Sequence, residues 1–231
     1  MERGGDQFIP RPDVHALGDP APWHDLPHAA RRFTAEEVRA AVAGFGPAAD
    51  PNPAHADLRV AAVLLTLFER DGEAHVVFIK RPATMSMHQG QIAFPGGTRD
   101  SADVDLVATA LRETAEEVGL AAELVEVVGQ LDAIATIATP FVVSPFIGLL
   151  AEEPVFVPEP AEVDALLVVP LSQLFDEAAF REERWELPAD LELYGPPERN
   201  VYFYELPGET IWGATARILT DFLARLAATR R

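Results

Sequence analysis

The sequence predicts a layered α/β (α+β) domain, a curved mixed sheet sandwiched between helices. Three observations predict it. Apolar, β-branched runs at 58–68, 74–81, 124–136 and 141–150 read as strands. Two segments carry apolar residues at helical spacing: Val107, Leu111, Thr114, Ala115 and Val118, then Ile211, Ala214, Ile218, Phe222 and Leu226. The order along the chain is strands, helix, strands, helix, which layers helices on a sheet.

Residues 1–55 read as a proline-rich N-terminal arm with one short helix. Thr34 followed by Glu36 and Glu37 is an N-cap with a capping-box acid, leading into VRAAVAGF. The domain proper is expected over 56–231, with the C-terminal helix included. Its first two strands flank Asp71-Gly72, a hairpin turn. Residues 82–100 read as a loop and 103–118 as a helix. The apolar window 133–150 approaches a membrane span in length, but Pro140 and Pro145 interrupt it, so two strands joined by a proline-marked turn fit better. A short strand at 154–157, the polar loop PEPAEVDA and the apolar run LLVVPLSQLF follow. Gly195-Pro196-Pro197 reads as a turn before a strand at 201–206, and 210–226 as the last helix.

Composition narrows the function. A formal charge of −19 argues against generic nucleic-acid binding, which needs basic surface to displace counterions. With no cysteine, disulfides, thiolate metal sites and cysteine nucleophiles are excluded. Lys80 is the only lysine among 18 basic residues, which composition bias accounts for. The N-terminus lacks the apolar core of a secretory signal, so the expected location is the cytoplasm, with no membrane partner.

The chemistry concentrates in FPGGTRDSADVDLVATALRETAEEVGL, residues 94–120. Glu113, Glu116 and Glu117 stand at i, i+3 and i+4, which places three carboxylates on one helical face, opposite the apolar stripe. Like charges so close repel, and the arrangement becomes favourable around a hard divalent cation that prefers oxygen ligands. Arg112 can pair with Glu116 at i+4 and orient it. Gly119 fits the left-handed position past a helix end. Gly96-Gly97 allows a tight turn whose carbonyls could reach a cation. A site of this kind suits phosphate chemistry. The bland alternative, a solvated charged helix after a turn, does not account for the glycine pair, the stripe and the acids together.

This segment resembles the signature of the Nudix hydrolases, G-x5-E-x7-R-E-U-x-E-E-x-G-U with U aliphatic. Gly97, Arg112, Glu113, Glu116, Glu117, Gly119 and Leu120 match it. The first acid is Asp103 instead of glutamate, eight residues instead of seven separate it from Arg112, and Thr114 replaces an aliphatic. The resemblance implies hydrolysis of a nucleoside diphosphate linked to another moiety, with Mg²⁺ or Mn²⁺ as cofactor. It further implies Glu113, Glu116, Glu117 and the Gly97 carbonyl as metal ligands, with Arg112 and the three glutamates as the catalytic group. The segment upstream is similar to the coenzyme A pyrophosphatase subgroup: Arg81, Gly90 and Phe94-Pro95-Gly96-Gly97 stand at the matching spacing, whereas Pro82 replaces a small residue and Ser86 stands where an arginine is expected. EVDALLVVPL at 162–171 and IWGATARIL at 211–219 also look like this subgroup.

The implied substrate is coenzyme A or a derivative, a small molecule, with products 3′,5′-ADP and 4′-phosphopantetheine. Arg81, Gly90, Gly96 and Glu162 are the implied substrate-binding residues. Arg81 would hold a phosphate by paired hydrogen bonds; its alternative is a strand-end arginine facing water. Glu152, Glu153, Glu159 and Glu162 are loop candidates for the general base beside the helical acids. His88 reads as a loop residue, Phe94 and Pro95 as packing for the turn, and Trp212 as part of the C-terminal helix core or its edge. Two other readings stand beside this one: a Nudix hydrolase of ADP-ribose, a dinucleotide or a nucleoside triphosphate, and a non-catalytic nucleotide-binding module. The assembly is left open, a homodimer being one option.

Overall fold

A computed structural model describes residues 4–5, 7–49, 58–83, 89–136, 140–186 and 198–231. The predicted turn at Gly195-Pro196-Pro197, together with Ser86 and His88, lies outside these residues.

The first hairpin forms as the sequence directs. Strands β2 (Arg59–Arg70) and β3 (Glu73–Lys80) pair antiparallel, and Asp71 (φ 54°) and Gly72 (φ 71°) make the turn. Both turn residues take the positive φ that matches the twist of the strands. Strand β2 also runs parallel to β8 (Phe141–Leu150), from Arg59 against Phe141 to Leu67 against Leu149. Strand β9 (Ala165–Pro170) lies along the other edge of β3, and β6 (Val125–Gln130) along β8. The result is a mixed sheet in the order β4-β3-β2-β8-β6, with β4 (Ile92–Ala93), β5 (Gly96–Thr98) and β7 (Ile134–Ala135) as short additions.

Helices cover both faces. On one face α2 (Leu106–Val118) sets Leu106, Val107, Ala110 and Leu111 against Ala62, Leu64 and Phe146. On the other, α1 (Ala35–Ala43) and α4 (Gly213–Ala228) share the largest core with Leu65, Leu67, Val76, Phe78, Val143 and Ile147. Thr34 caps α1 with a complete capping box, the side chain of Glu37 returning to the Thr34 N–H at 2.9 Å.

A second, four-stranded antiparallel sheet closes over α4, in the order β1-β10-β11-β12: β1 (His15–Leu17), β10 (Phe180–Glu186), β11 (Glu198–Leu206) and β12 (Glu209–Trp212). Between the sheets the chain makes one short turn of helix, α3 (Leu171–Leu174). The arm supplies β1 and also enters the main core: Trp23, Leu26 and Phe33 are buried in it, and the Trp23 indole donates to the Phe175 carbonyl at 2.9 Å.

Several boundaries differ from the sequence reading for local reasons. Helix α2 begins at Leu106 because Asp105 caps it, accepting the Ala108 N–H at 2.8 Å; Asp103 therefore stands ahead of the helix. The 124–136 run splits opposite Pro145, which has no N–H to offer a neighbour; the Leu131 N–H meets the Pro145 carbonyl at 3.0 Å, and pairing resumes at Ile134 against Val143. The 154–157 segment forms no strand, since the Val157 N–H goes to the Val118 carbonyl at the end of α2. The final helix starts at Gly213 because 209–212 is taken up by β12, which ends at Trp212.

Candidate active site

The site grows where β5 passes under α2. Gly96 and Gly97 pair with Val63 and Ala62 of β2, at the end of the sheet that α2 covers. A Cβ on Gly96, whose φ is 150°, would stand 2.6 Å from the Val63 Cα and press on the Ala62 carbonyl. A Cβ on Gly97 would stand 2.6 Å from the Glu113 Oε1. Glycine is required at both positions, at the first by backbone and at the second by a carboxylate lying on the strand.

Helix α2 grades its three glutamates. Glu116 is exposed, Glu113 half-buried, and Glu117 buried at 2% exposure, on the edge of the face that holds Ala110, Thr114 and Val118. The single exposed face expected from spacing is thus a gradient from water into the protein. Glu117 Oε2 accepts the Gly96 N–H at 2.9 Å, and its Oε1 stands 3.8 Å from Arg81 Nη1. Burial raises the Glu117 pKa to about 7, against the pull of the Gly96 N–H and of Arg81. Burial raises that of Glu113 too, while Arg112 opposes it. The charge of Glu162 adds to both shifts.

Arg112 organises this helix face. Its Nη1 meets Glu113 Oε1 at 3.0 Å and Glu116 Oε2 at 2.9 Å, and its Nη2 donates to the Thr98 carbonyl at 3.2 Å. Asp103 takes the remaining side of the guanidinium. Thr114, in the aliphatic position of the signature, is buried with its hydroxyl donating to the Ala110 carbonyl at 2.7 Å, so its polar atom is satisfied within the helix. Gly119 ends the helix in the left-handed conformation, φ 69°.

Arg81 follows β3 directly. Its backbone is tied across the loop, its N–H to the Gln91 carbonyl at 2.9 Å and its carbonyl to the Gly90 N–H at 3.1 Å, with Gly90 at φ 63°. Its buried Nε has no hydrogen-bond partner among the described residues. Phe94 packs on Phe78, with ring centroids 4.9 Å apart, and the Pro95 carbonyl accepts the Leu64 N–H, so both support the turn as expected.

The 151–164 loop lies over the end of α2. The Glu159 N–H donates to the Glu117 carbonyl and the Asp164 N–H to the Lys80 carbonyl, at 2.9 and 2.8 Å, and Val163 is buried. Glu162 is exposed on this loop, within electrostatic reach of Glu113 and Glu117. Glu153 instead pairs with Arg70 and Glu159 with the Ala161 N–H. Trp212 lies at the junction of β12 and α4 against Trp185. Clefts of about 500 Å³ under the arm and about 350 Å³ beside α4 include none of the three glutamates.

The donor set fits a hard divalent cation: oxygen ligands only, two of the acids raised in proton affinity by burial and mutual repulsion, and a strand stripped of side chain where Glu113 lies. Among the described residues no three acids stand together as a ready-made cation-binding group; Glu113 and Glu116 both lie on Arg112.

Residues 57–191 match the family model described as the NUDIX domain. The chain belongs to the Nudix family. Nudix hydrolase NudL of Enterobacter sp. (strain 638), described as uncharacterized, is 35% identical over 168 residues, covering 73% of this chain and 83% of its own. Nudix hydrolase 22, a chloroplastic protein of Arabidopsis thaliana, is 37% identical over 172 residues, 69% of this chain and 52% of that one. Among solved structures, the M. Smegmatis Nudix hydrolase RenU is 30% identical, with a TM-score of 0.41 over 51% of this chain and 74% of RenU. The protein is thus a Nudix hydrolase, a pyrophosphatase acting on a nucleoside diphosphate derivative. Among the described residues no helix is long and apolar enough to cross a membrane.

Asp103, Asp105 and Lys80 were not assigned to the site by sequence. Asp103 carried the first-acid position of the signature, and Asp105 a local signal, an N-cap residue before the apolar stripe.

Proposed function

We propose that this Nudix hydrolase cleaves the pyrophosphate bond of coenzyme A or a derivative, giving 3′,5′-ADP and 4′-phosphopantetheine or its acyl form. The observation that carries the reading is Arg81, a guanidinium 3.8 Å from the buried Glu117 with its Nε unpartnered among the described residues. A buried donor without an acceptor is a group awaiting one, and a planar guanidinium suits two phosphate oxygens. The subgroup resemblance of Arg81, Gly90 and Phe94 to Gly97 supports coenzyme A over other nucleotides.

Glu113, Glu116, Glu117 and the Gly97 carbonyl would hold Mg²⁺ or Mn²⁺, which supplies polarisation of a phosphoryl oxygen and acidification of a water. Arg112 keeps Glu113 and Glu116 in place, and Gly96 fixes Glu117 through its N–H. One of the three glutamates, left off the cation, would instead take the proton of the attacking water. Arg81 binds a substrate phosphate, Gly90 and Gly96 shape the loop and strand around it, and Glu162 contacts the substrate from the facing loop. The arm, 1–55, and the domain, 56–231, form one functional unit.

Incubation of the protein with coenzyme A and Mg²⁺ or Mn²⁺, with product masses read out, tests this. Release of 4′-phosphopantetheine above a Glu117→Gln control is expected; its absence sinks the coenzyme A assignment. Ser86, standing where the subgroup has arginine, favours a second reading, a hydrolase of ADP-ribose or a dinucleotide. Comparing kcat/KM across coenzyme A, ADP-ribose and a dinucleoside tetraphosphate separates the two.

A further inference from the structure

Among the described residues little holds the Arg81 side chain: its one ion pair there is the 3.8 Å approach to Glu117, and its Nε is unpartnered. Where the guanidinium sits therefore depends on where the backbone leaves β3. That exit is secured on the loop side by Gln91 and Gly90, and on the β9 side by the Asp164 N–H on the Lys80 carbonyl.

A third support comes from the other sheet. Lys80, the residue before Arg81, directs its side chain away from the site and places Nζ 2.5 Å from Glu209 Oε1 on β12, both side chains largely shielded from water. The second oxygen of Glu209 accepts from Gln7 Nε2 at 2.7 Å. Gln7 in turn takes the Thr210 N–H at 3.1 Å, and Gly5 donates to the Thr210 hydroxyl at 3.0 Å. The arm, β12 and the end of β3 are thus joined through one carboxylate.

The position is also singular in sequence. Every other basic side chain that is not histidine is arginine, yet the residue joining the two sheets is the sole lysine. A compact ammonium on a flexible stem can meet one carboxylate oxygen where a planar fork would need more room.

We propose that Glu209, acting through Lys80 and backed by Gln7, sets the position of the Arg81 guanidinium, so that the second sheet and the arm govern how tightly the site holds a substrate phosphate. Glu209 and Lys80 are positioning residues. The inference rests on the reading of Arg81 as the phosphate ligand, and the experiment separates the two.

KM and kcat are measured on whichever of coenzyme A, ADP-ribose and the dinucleoside tetraphosphate gives the highest kcat/KM, with melting temperature alongside. Glu209→Ala and the milder Glu209→Gln are expected to raise KM roughly ten-fold, below the about hundred-fold that a 1 Å displacement can produce. The same variants should leave kcat within about two-fold, the pattern of lost uniform binding. The swapped pair Lys80→Glu with Glu209→Lys should recover most of the KM. In an Arg81→Ala background the Glu209 substitution should add nothing, because both act through one group. If Arg81→Ala raises KM while both Glu209 variants leave it unchanged, or if the two effects add, the coupling is overturned and the phosphate reading stands. If Arg81→Ala leaves KM unchanged, the phosphate reading falls and the coupling with it.

Discussion

Asp103 and Arg112 face each other as a two-pronged pair, Nε to Oδ1 at 3.0 Å and Nη2 to Oδ2 at 3.1 Å. Asp103 also accepts the Asp100 N–H at 2.9 Å and the Thr109 hydroxyl at 2.8 Å. With Arg112 the largest influence, these contacts hold its carboxyl well below the usual carboxylate range. The departure from the family signature therefore keeps a purpose. An acid shorter than glutamate, placed ahead of the helix cap, aligns the arginine on which Glu113 and Glu116 rest.

Removing that alignment should reduce turnover without touching a substrate contact. Asp103→Asn leaves one carbonyl oxygen in place of two charged ones, and Arg112→Lys replaces the fork by a point charge. Each is expected to lower kcat/KM by about ten- to hundred-fold, the range seen when groups orienting metal-site ligands are lost. Steady-state kinetics at saturating Mn²⁺ check it; wild-type kcat in either variant would refute the role.

Gly96 and Gly97 are adjacent, yet alanine should fail at them differently. At Gly97 the new methyl meets a carboxylate, the far end of a flexible side chain, so the fold survives and Glu113 is displaced. Gly97→Ala should melt near wild type with kcat down by more than about a hundred-fold, in line with the sensitivity of catalysis to small displacements. At Gly96 the methyl meets backbone and the φ of 150° is foreign to alanine. Gly96→Ala should lose about 2–3 kcal/mol, or roughly 5–10 °C in Tm for a chain of this size. Thermal melts paired with activity assays distinguish the two, and equal melting temperatures would contradict the assignment.

The sequence carried the parts of this site that repeat a local period or a turn rule. The apolar stripe of α2, the left-handed Gly119 and the Asp71-Gly72 hairpin are of that kind, each decided by residues within a few positions. The second sheet was hidden because β10, FREERWE, is polar. Its Glu183 is buried because Arg181 and the Trp185 indole, two residues away on the same face of the strand, and Arg11 from the distant arm satisfy it. The burial of Glu117 was hidden for a related reason. Helical spacing sets angles around one axis, and only the position of β5 and of the 151–164 loop decides which angle faces water.

The arm can be tested as part of the core. Trp23 is fully buried, with Phe175 and Phe180 at ring-centroid distances of 5.2 Å and Tyr204 at 6.4 Å. Trp23→Ala should lower stability by about 3–5 kcal/mol, the usual result of deleting a large buried aromatic. Denaturant melts followed by far-UV circular dichroism measure it. A loss under about 1 kcal/mol, typical of an exposed site, would make the arm a loose appendage.

Glu117 gives a pH dependence whose sign is opposite to that of an ordinary paired acid. Its folded pKa is about 7, against 4.5 for the free side chain, with burial as the main cause. Between those values the folded protein holds a proton that the unfolded chain has released. Without metal, stability is therefore greatest at low pH in this window, falls as pH rises from about 4.5 to about 7, and levels off above. A displacement of this size corresponds to on the order of 3 kcal/mol at pH 8. Glu117→Gln keeps an oxygen for the Gly96 N–H and has no charge to bury. In chelator at pH 8 it should melt above wild type, by roughly 5–10 °C for a chain of this length, while losing activity. Near pH 4.5 the two should converge. Added Mn²⁺ should raise the wild-type Tm and not that of the variant, since a ligand that binds the folded state alone stabilises it by mass action. A Glu117→Gln protein that melts below wild type in chelator at pH 8 would show that the buried carboxylate is matched by charges other than a cation's.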